Sequence, residues 1–242
     1  MSQEKKRLRK TIHRFLTPKA RYVRQTINGH PMILDLDDPW LRTNFLWCKI
    51  YEPETTAYIK QHVKPNDVVL DIGAHIGYHS LNFWKNGATV YAYEPDPRAT
   101  RLFLRNTEHT DIILFQRVVS DVRGQTILYR SRGGSAWNSI HPIRDAKPFR
   151  VQSVRIDDNI FGSVDWIKVD VEGAELKALQ GMRETLRQSP NVRLLVEWLP
   201  KNKGDLEGVL KFFDGWNCRP LDHNMLFWRQ NNECYCSDIE SY

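Results

Sequence analysis

Asp67-Val-Val-Leu-Asp-Ile-Gly-Ala-His-Ile-Gly77 begins as an apolar run and closes on two glycines. Pro65 and Asn66 precede it, and its valines and isoleucine suit a strand over 67–72 buried on both faces. A helix from about 77 to 86 follows and is stopped by Gly87. The same rhythm continues downstream. Residues 88–93 (ATVYAY) read as a second strand, and Pro97 sits where the first turn of a helix over 98–107 tolerates proline. Residues 112–119 (IILFQRVV) give a third strand and 165–170 (DWIKVD) a fourth. A helix over 174–187 then leads to a fifth strand over 192–198. A helix over 206–213 and closing strands at 216–219 and 225–229 complete the series. Strands alternating with helices imply right-handed crossovers and a doubly wound α/β sheet over 66–230.

Two parts fall outside this rhythm. Residues 22–65 form an N-terminal preface in which Tyr22–Ile27 and Met32–Leu36 flank an Asn28-Gly29 turn, the signature of a hairpin. Residues 124–156 are an insertion, and 231–242 a C-terminal tail. Residues 1–21 read as a basic amphipathic tail, with Leu8, Ile12, Phe15 and Leu16 on one helical face and Pro18 ending it.

The 242 residues carry a net charge of +6, with 41% hydrophobic and 26% charged content, which excludes disordered, collagen-like and coiled-coil chains. Residues 1–24 hold nine lysines and arginines against Glu4 alone, a net of +8 that leaves −2 for the rest. An acidic body places nucleic acid behind small molecules as the expected ligand. The tail either lies on an anionic membrane surface or a partner, or packs on its own domain. It lacks the apolar segment of a secretory signal, and no run of about 18 apolar residues exists. A cytoplasmic protein is expected, with peripheral attachment at the inner membrane surface as the tail's alternative role. Cys48, Cys218, Cys234 and Cys236 are expected as free thiols, because the Cys-x-Cys pair lacks the spacing and fourth ligand of a zinc site.

Ligands of such sheets bind beyond the carboxyl ends of the strands. Gly73 and Gly77 let the backbone turn sharply there and approach a ligand. Glu94 closes the second strand 17 residues beyond Gly77, where a carboxylate can accept both hydroxyls of a ribose. Ser120 and Asp121 end the third strand, in place to bond a base edge or to cap a turn. Asp170 ends the fourth, with Glu172 and Glu175 crowding the same loop.

Asp71-Ile-Gly-Ala-His-Ile-Gly-Tyr-His-Ser80, Tyr93-Glu-Pro95, Ser120-Asp121 and Asp165-Trp-Ile-Lys-Val-Asp-Val-Glu-Gly-Ala-Glu175 together resemble the FkbM-type family of S-adenosylmethionine-dependent methyltransferases. Tyr51-Glu-Pro-Glu-Thr55 and Val196-Glu197 resemble its pattern too, so the likeness runs from about 45 to 200. His75 stands where asparagine is the commoner residue. The resemblance implies a class I methyltransferase fold, Rossmann-like, with seven strands of which the last is antiparallel. It implies an S-adenosylmethionine site at Asp71, Gly73, Ala74, His75, Gly77, Glu94, Pro95, Ser120 and Asp121. It also implies O-methylation of a hydroxylated acceptor, a sugar, glycan or small natural product.

A sulfonium donor needs no activation, so the protein must align a hydroxyl with the methyl carbon and take its proton. Asp170 is the first candidate base and His141 the second, followed by His75 and His79. The polar and aromatic stretch 131–150, with Gly133, Gly134 and Trp137, suits a lid over the acceptor. Asp170 and Glu197 show no third partner for a divalent ion, so no metal is expected. A nucleic-acid (RNA) methyltransferase and a non-catalytic module retaining the cofactor fold are the alternatives.

Overall fold

A computed structural model describes residues 20–132, 134–142, 144–158, 162–198 and 203–229. The expected basic tail up to residue 19 and the C-terminal tail 231–242, with Cys234 and Cys236, lie outside the described residues. Cys48 and Cys218 are free. No helix among the described residues is long and apolar enough to cross a membrane.

The preface begins with the hairpin β1 (Tyr22–Ile27) and β2 (His30–Asp35), joined by Asn28 and Gly29, both at positive φ. Two helices follow, α1 (Pro39–Asn44), capped by the Asp38 carboxylate, and α2 (Pro53–His62). The main sheet then starts with β3 (Val68–Ile72), α3 (Tyr78–Lys85), β4 (Thr89–Tyr93), α4 (Pro97–Asn106) and β5 (Ile113–Phe115). After the insertion come β9 (Trp166–Val169), α5 (Glu175–Gln180), α6 (Arg183–Gln188) and β10 (Arg193–Glu197). The series ends with α7 (Lys203–Phe212), β11 (Asn217–Leu221) and β12 (Asn224–Trp228).

The seven strands lie in the order β11-β12-β10-β9-β3-β4-β5. All neighbours run parallel except β12, which is antiparallel to both β10 and β11. This is the expected sheet with its last strand reversed. Leu70, Ile72, Ile167 and Leu194 pack under Ala178, Leu179 and Leu186 on one side. Val69, Trp166 and Leu195 pack on the other with Ile59 and Phe83. The hairpin buries Ile27, Met32 and Leu34 against Tyr78, Leu81 and Leu102, so the preface is bolted to α3 and α4.

The third strand, expected unbroken over 112–119, is divided. Its first part, β5, pairs with β4. Its second part, β6 (Val118–Val119), leaves the main sheet and pairs in parallel with β8 (Lys147–Val154), which forms a hairpin with β7 (Gly124–Arg130). The Arg117 N–H donates to the Phe115 carbonyl at 2.9 Å, so the chain turns where it changes partners. The insertion thus supplies two strands, β7 and β8, of a second, three-stranded sheet that β6 completes. The helix expected over 174–187 is likewise broken, at Gly181, where a Cβ would stand 1.9 Å from the Ser120 carbonyl oxygen.

Candidate functional site

A cavity of about 260 Å³ opens at the carboxyl ends of β3, β4, β9 and β10. Its wall at β3 is the turn Gly73–Ile76. Gly73 takes φ +86°, and a Cβ on it would lie 1.7 Å from the Asp170 carbonyl oxygen, so the ends of β3 and β9 meet backbone to backbone. Gly77 differs from its expected role as a point of ligand approach. It takes φ +90° and faces the Phe103 and Thr107 side chains, so it seats α3 on α4 and does not line the cavity.

Glu94 leaves the end of β4 and is buried in the cavity wall. Its Oε2 accepts the His75 N–H at 2.9 Å and its Oε1 the Asp96 N–H at 2.8 Å. Burial nevertheless pushes its carboxyl up to about 8, against the pull of those two donors. Pro95 lines the cavity beside it. The Asp71 Oδ2 accepts the Ser80 hydroxyl, while its Oδ1 is buried and has no partner among the described residues. Burial raises that carboxyl as well.

Lys168 lies in β9 and Asp170 just beyond its end, two residues on and on the same face, so the ammonium reaches Asp170 Oδ2 at 2.7 Å. The lysine is 1% exposed. Burial alone would discharge it, but the carboxylates of Asp170, Glu52 and Asp71 outweigh that and hold its pKa above the ordinary lysine range. Glu52 enters from the preface at φ 44°, and its Oε2 accepts from His79 Nε2 at 3.0 Å and Asn224 Nδ2 at 2.7 Å. Burial works against its ionisation. The hydrogen bond from His79, then the charge of Lys168 and the Asn224 amide, prevail and hold it below the usual carboxylate range.

Sequence spacing leaves Asp170 and Glu197 without a third carboxylate. The structure supplies Glu172, and oxygens of the three lie within 4.8 Å of one another. Burial, then the charges of Asp170, Glu172 and Glu175, pushes the Glu197 carboxyl up to about 11. Glu175 itself turns back to accept the Gly173 N–H at 3.0 Å, closing the loop after β9.

Residues 134–141 roof the cavity, with Ser135, Ala136, Asn138 and Ile140 in its lining. Five bonds hold it. Ser135 N–H donates to Asp38 Oδ2 (2.7 Å), the Ser135 hydroxyl meets His75 Nε2 (2.6 Å) and Asn138 Nδ2 donates to Asp96 Oδ2 (2.6 Å). Ser139 donates to the Glu172 carbonyl (2.8 Å), and His141 Nε2 bonds the Gly173 carbonyl at 2.9 Å. His141 is therefore exposed on the outer side of this roof and does not line the cavity, which does not suit the base proposed for it from sequence. Gly133 and the Trp137 side chain, both named for the lid, are outside what is described. Ser120 and Asp121 also stand outside the lining, the Ser120 hydroxyl donating to Asp121 Oδ1 at 2.8 Å.

Sequence reasoning assigns no role to Lys168, Glu52, Tyr51 and His223, all but Glu52 in the lining, although the first three stand in stretches that carry the family resemblance. A lysine inside the otherwise apolar run Trp166–Val169 was a readable signal. The pairing of Glu52 with Asn224, 172 residues apart, had none.

The family described as methyltransferase FkbM domain matches residues 71–227. The 2-O-methyltransferase NoeI of Sinorhizobium fredii is 32% identical over 149 residues, 52% of this chain and 61% of that protein. The hexuronic acid methyltransferase AglP of Haloferax volcanii is 28% identical over 145 residues, 56% of this chain and 58% of that protein. The match thus spans about three fifths of each relative's length. Among solved structures, a protein of Pyrococcus horikoshii assigned as a transferase aligns with TM-score 0.50 at 12% identity, covering 86% of this chain and 70% of its own. The methyltransferase FkbM of Methylobacillus flagellatus aligns with TM-score 0.49 at 20% identity, covering 67% and 43%.

Proposed function

The chain belongs to the FkbM methyltransferase family, and from that premise we propose that it transfers the methyl group of S-adenosylmethionine to a hydroxyl of a carbohydrate or small natural product. The observation that carries this reading is the buried Glu94 carboxyl at the end of β4, in one cavity with the Gly73–Ile76 turn and Asp170. The residues fit the donor. Glu94 offers oxygen lone pairs for the ribose hydroxyls, beside Pro95. Asp71, with an unpartnered buried oxygen, faces the same space with Ala74 and His75. Ser120 and Asp121 are proposed for the adenine edge, and Gly77 supports the turn from behind. The sulfonium of S-adenosylmethionine supplies the activated methyl group, and the protein positions the acceptor.

The cavity favours a hydroxylated acceptor over a polyanion. The carboxyl groups of Asp71, Glu94, Asp170, Glu172 and Glu197 line it and offer hydroxyls many oxygen partners, while the Lys168 ammonium is already taken by Asp170 and leaves Arg117 to meet a phosphate. The names of the two relatives, a 2-O-methyltransferase and a hexuronic acid methyltransferase, support a sugar. The Asp170 carboxylate stands at the proposed acceptor end.

Calorimetric titration of S-adenosylhomocysteine tests the donor site. Glu94→Ala should weaken binding about 100-fold or more, since two hydrogen bonds to a charged group are lost. Unchanged affinity would remove Glu94 from the site, and no binding by folded wild type would remove the reading. The same titration carries a pH signature. Ribose hydroxyls donating to Glu94 favour its ionised form, so a group that rests near 8 releases its proton on binding. Affinity should therefore rise from pH 6 to 8, by up to about tenfold per unit, and Glu94→Gln should flatten the curve. A flat wild-type curve contradicts the assignment.

The roof formed by residues 134–141 is proposed as a lid. Asn138→Ala breaks its tie to Asp96 and the bond from Ser131 N–H to Asn138 Oδ1 (3.0 Å). S-adenosylhomocysteine should then dissociate about fivefold faster in stopped-flow measurements, the worth of roughly one hydrogen bond. An unchanged rate means that the roof does not gate the donor.

A further inference from the structure

Asp170 is already committed as the counter-ion of Lys168. One of its oxygens is committed to a buried ammonium at 2.7 Å, and transfer of a proton to that carboxylate would leave the lysine without its counter-ion. Close by, in the first turn of α3, His79 has the opposite arrangement. It is buried and lines the cavity, its Nε2 is held by Glu52, and its Nδ1 is sealed from solvent with no partner among the described residues. A buried ring nitrogen left without a partner requires a reason.

Resting on the methyltransferase reading above, we propose that His79 is the catalytic base, taking the acceptor hydroxyl's proton at Nδ1, and that Glu52 is its positioning residue. Glu52 Oε2 already accepts the Asn224 amide at 2.7 Å, so it faces His79 as an acceptor and Nε2 carries the hydrogen. The neutral ring then presents a bare lone pair at Nδ1. The Glu52 carboxylate, 3.0 Å from Nε2, is placed to stabilise the imidazolium that forms during transfer. Glu52 is itself fixed by Asn224 and by its left-handed backbone. The charged and titratable groups facing His79 are Glu52 from the preface, Asp71 from β3, and the rings of Tyr51 and Tyr78.

The step balances. The acceptor oxygen bonds to the methyl carbon as the carbon–sulfur bond breaks and its electron pair returns to sulfur. The hydroxyl proton passes to Nδ1, so one positive charge leaves the sulfonium and one appears on the ring opposite Glu52.

The test has two arms on the full chain. The first is nitrogen-15 NMR of labelled histidine rings at pH 7.5 with S-adenosylhomocysteine present, His79 being identified by the signal lost in His79→Gln. Protonated Nε2 with bare Nδ1 is expected, and a ring protonated at Nδ1 overturns the proposal. The second measures methyl transfer from radiolabelled S-adenosylmethionine to a set of methyl glycosides, with S-adenosylhomocysteine affinity and circular dichroism as controls for folding. His79→Gln should lower kcat at least 100-fold with donor affinity unchanged. Glu52→Gln should lower kcat about 10- to 100-fold and disturb the ring's nitrogen signals, with Glu52→Asp restoring part of both. A kcat within threefold of wild type in His79→Gln overturns the proposal, as does the larger loss falling on Asp170→Asn with His79→Gln active. Donor binding without transfer to any glycoside counts against the carbohydrate acceptor instead, and the NMR arm still decides the role of His79.

Discussion

Gly73→Ala is expected to lower stability by about 3 kcal/mol or more and to abolish donor binding. Two costs coincide at this position. A non-glycine residue at φ +86° costs about 1–2 kcal/mol, and the new Cβ would stand 1.7 Å from the Asp170 carbonyl oxygen and 2.7 Å from its carbon. Both obstacles are backbone, so no side-chain rotation relieves them. The ends of β3 and β9 must separate, and that junction holds the turn that carries His75 and the loop that carries Asp170. Urea denaturation and titration with S-adenosylhomocysteine measure the two effects. Gly124→Ala is the control, since it takes φ +137° with nothing within 4 Å of the added carbon. It should show the conformational cost alone and bind the donor normally. Equal losses for the two would mean that the contact with Asp170 contributes nothing.

Lys168→Met should be nearly as damaging, at about 3–5 kcal/mol near neutral pH, the usual cost of leaving buried charges without their partner. Lys168 lowers the proton affinity of both Asp71 and Glu52. Without it the folded state binds protons more tightly than the wild-type folded state does, while the unfolded chain is unchanged. The deficit should therefore be greatest above the ordinary carboxylate range and shrink as pH falls through it. Chemical denaturation at pH 8 and pH 5 gives the comparison. Lys168→Met combined with Asp170→Asn should recover part of the loss, because the two side chains are in contact. A deficit independent of pH would assign the loss to packing.

Much of the main sheet can be read from the chain because parallel strands buried on both faces leave unmistakable apolar runs, as at Val68–Ile72 and Trp166–Val169. Glu94 was legible for the same reason, since it ends such a run. The division of residues 112–119 was not, because both halves are apolar and only the choice of partner strand separates them. Gly181 interrupts a helix through contact with the Ser120 backbone, a tertiary demand that helical periodicity does not carry. Glycine spacing marked Gly77, yet its neighbours are Phe103 and Thr107, so the same residue type serves packing where ligand approach was expected. His141 stood in the right segment but turns to a carbonyl on the outer side. Glu52, His79 and Asn224 come together from three distant elements, and no local pattern announces a meeting of that kind.

The reversed strand β12 also dictates an order of events during synthesis. It lies between β10 and β11 although it is made after both. A nascent chain complete only to residue 221 therefore presents β10 as a bare edge, with Leu194–Glu197 unpaired on that side. The same chain lacks Asp222, whose carboxylate holds the Thr55 N–H at 2.8 Å, and Asn224, which holds Glu52. The first-made preface and the last-made hairpin thus mature together. Ribosome-arrested chains ending before Asn224 should be captured by aggregation-sensing chaperones and cleaved near Glu52, and those extended past Trp228 should resist both.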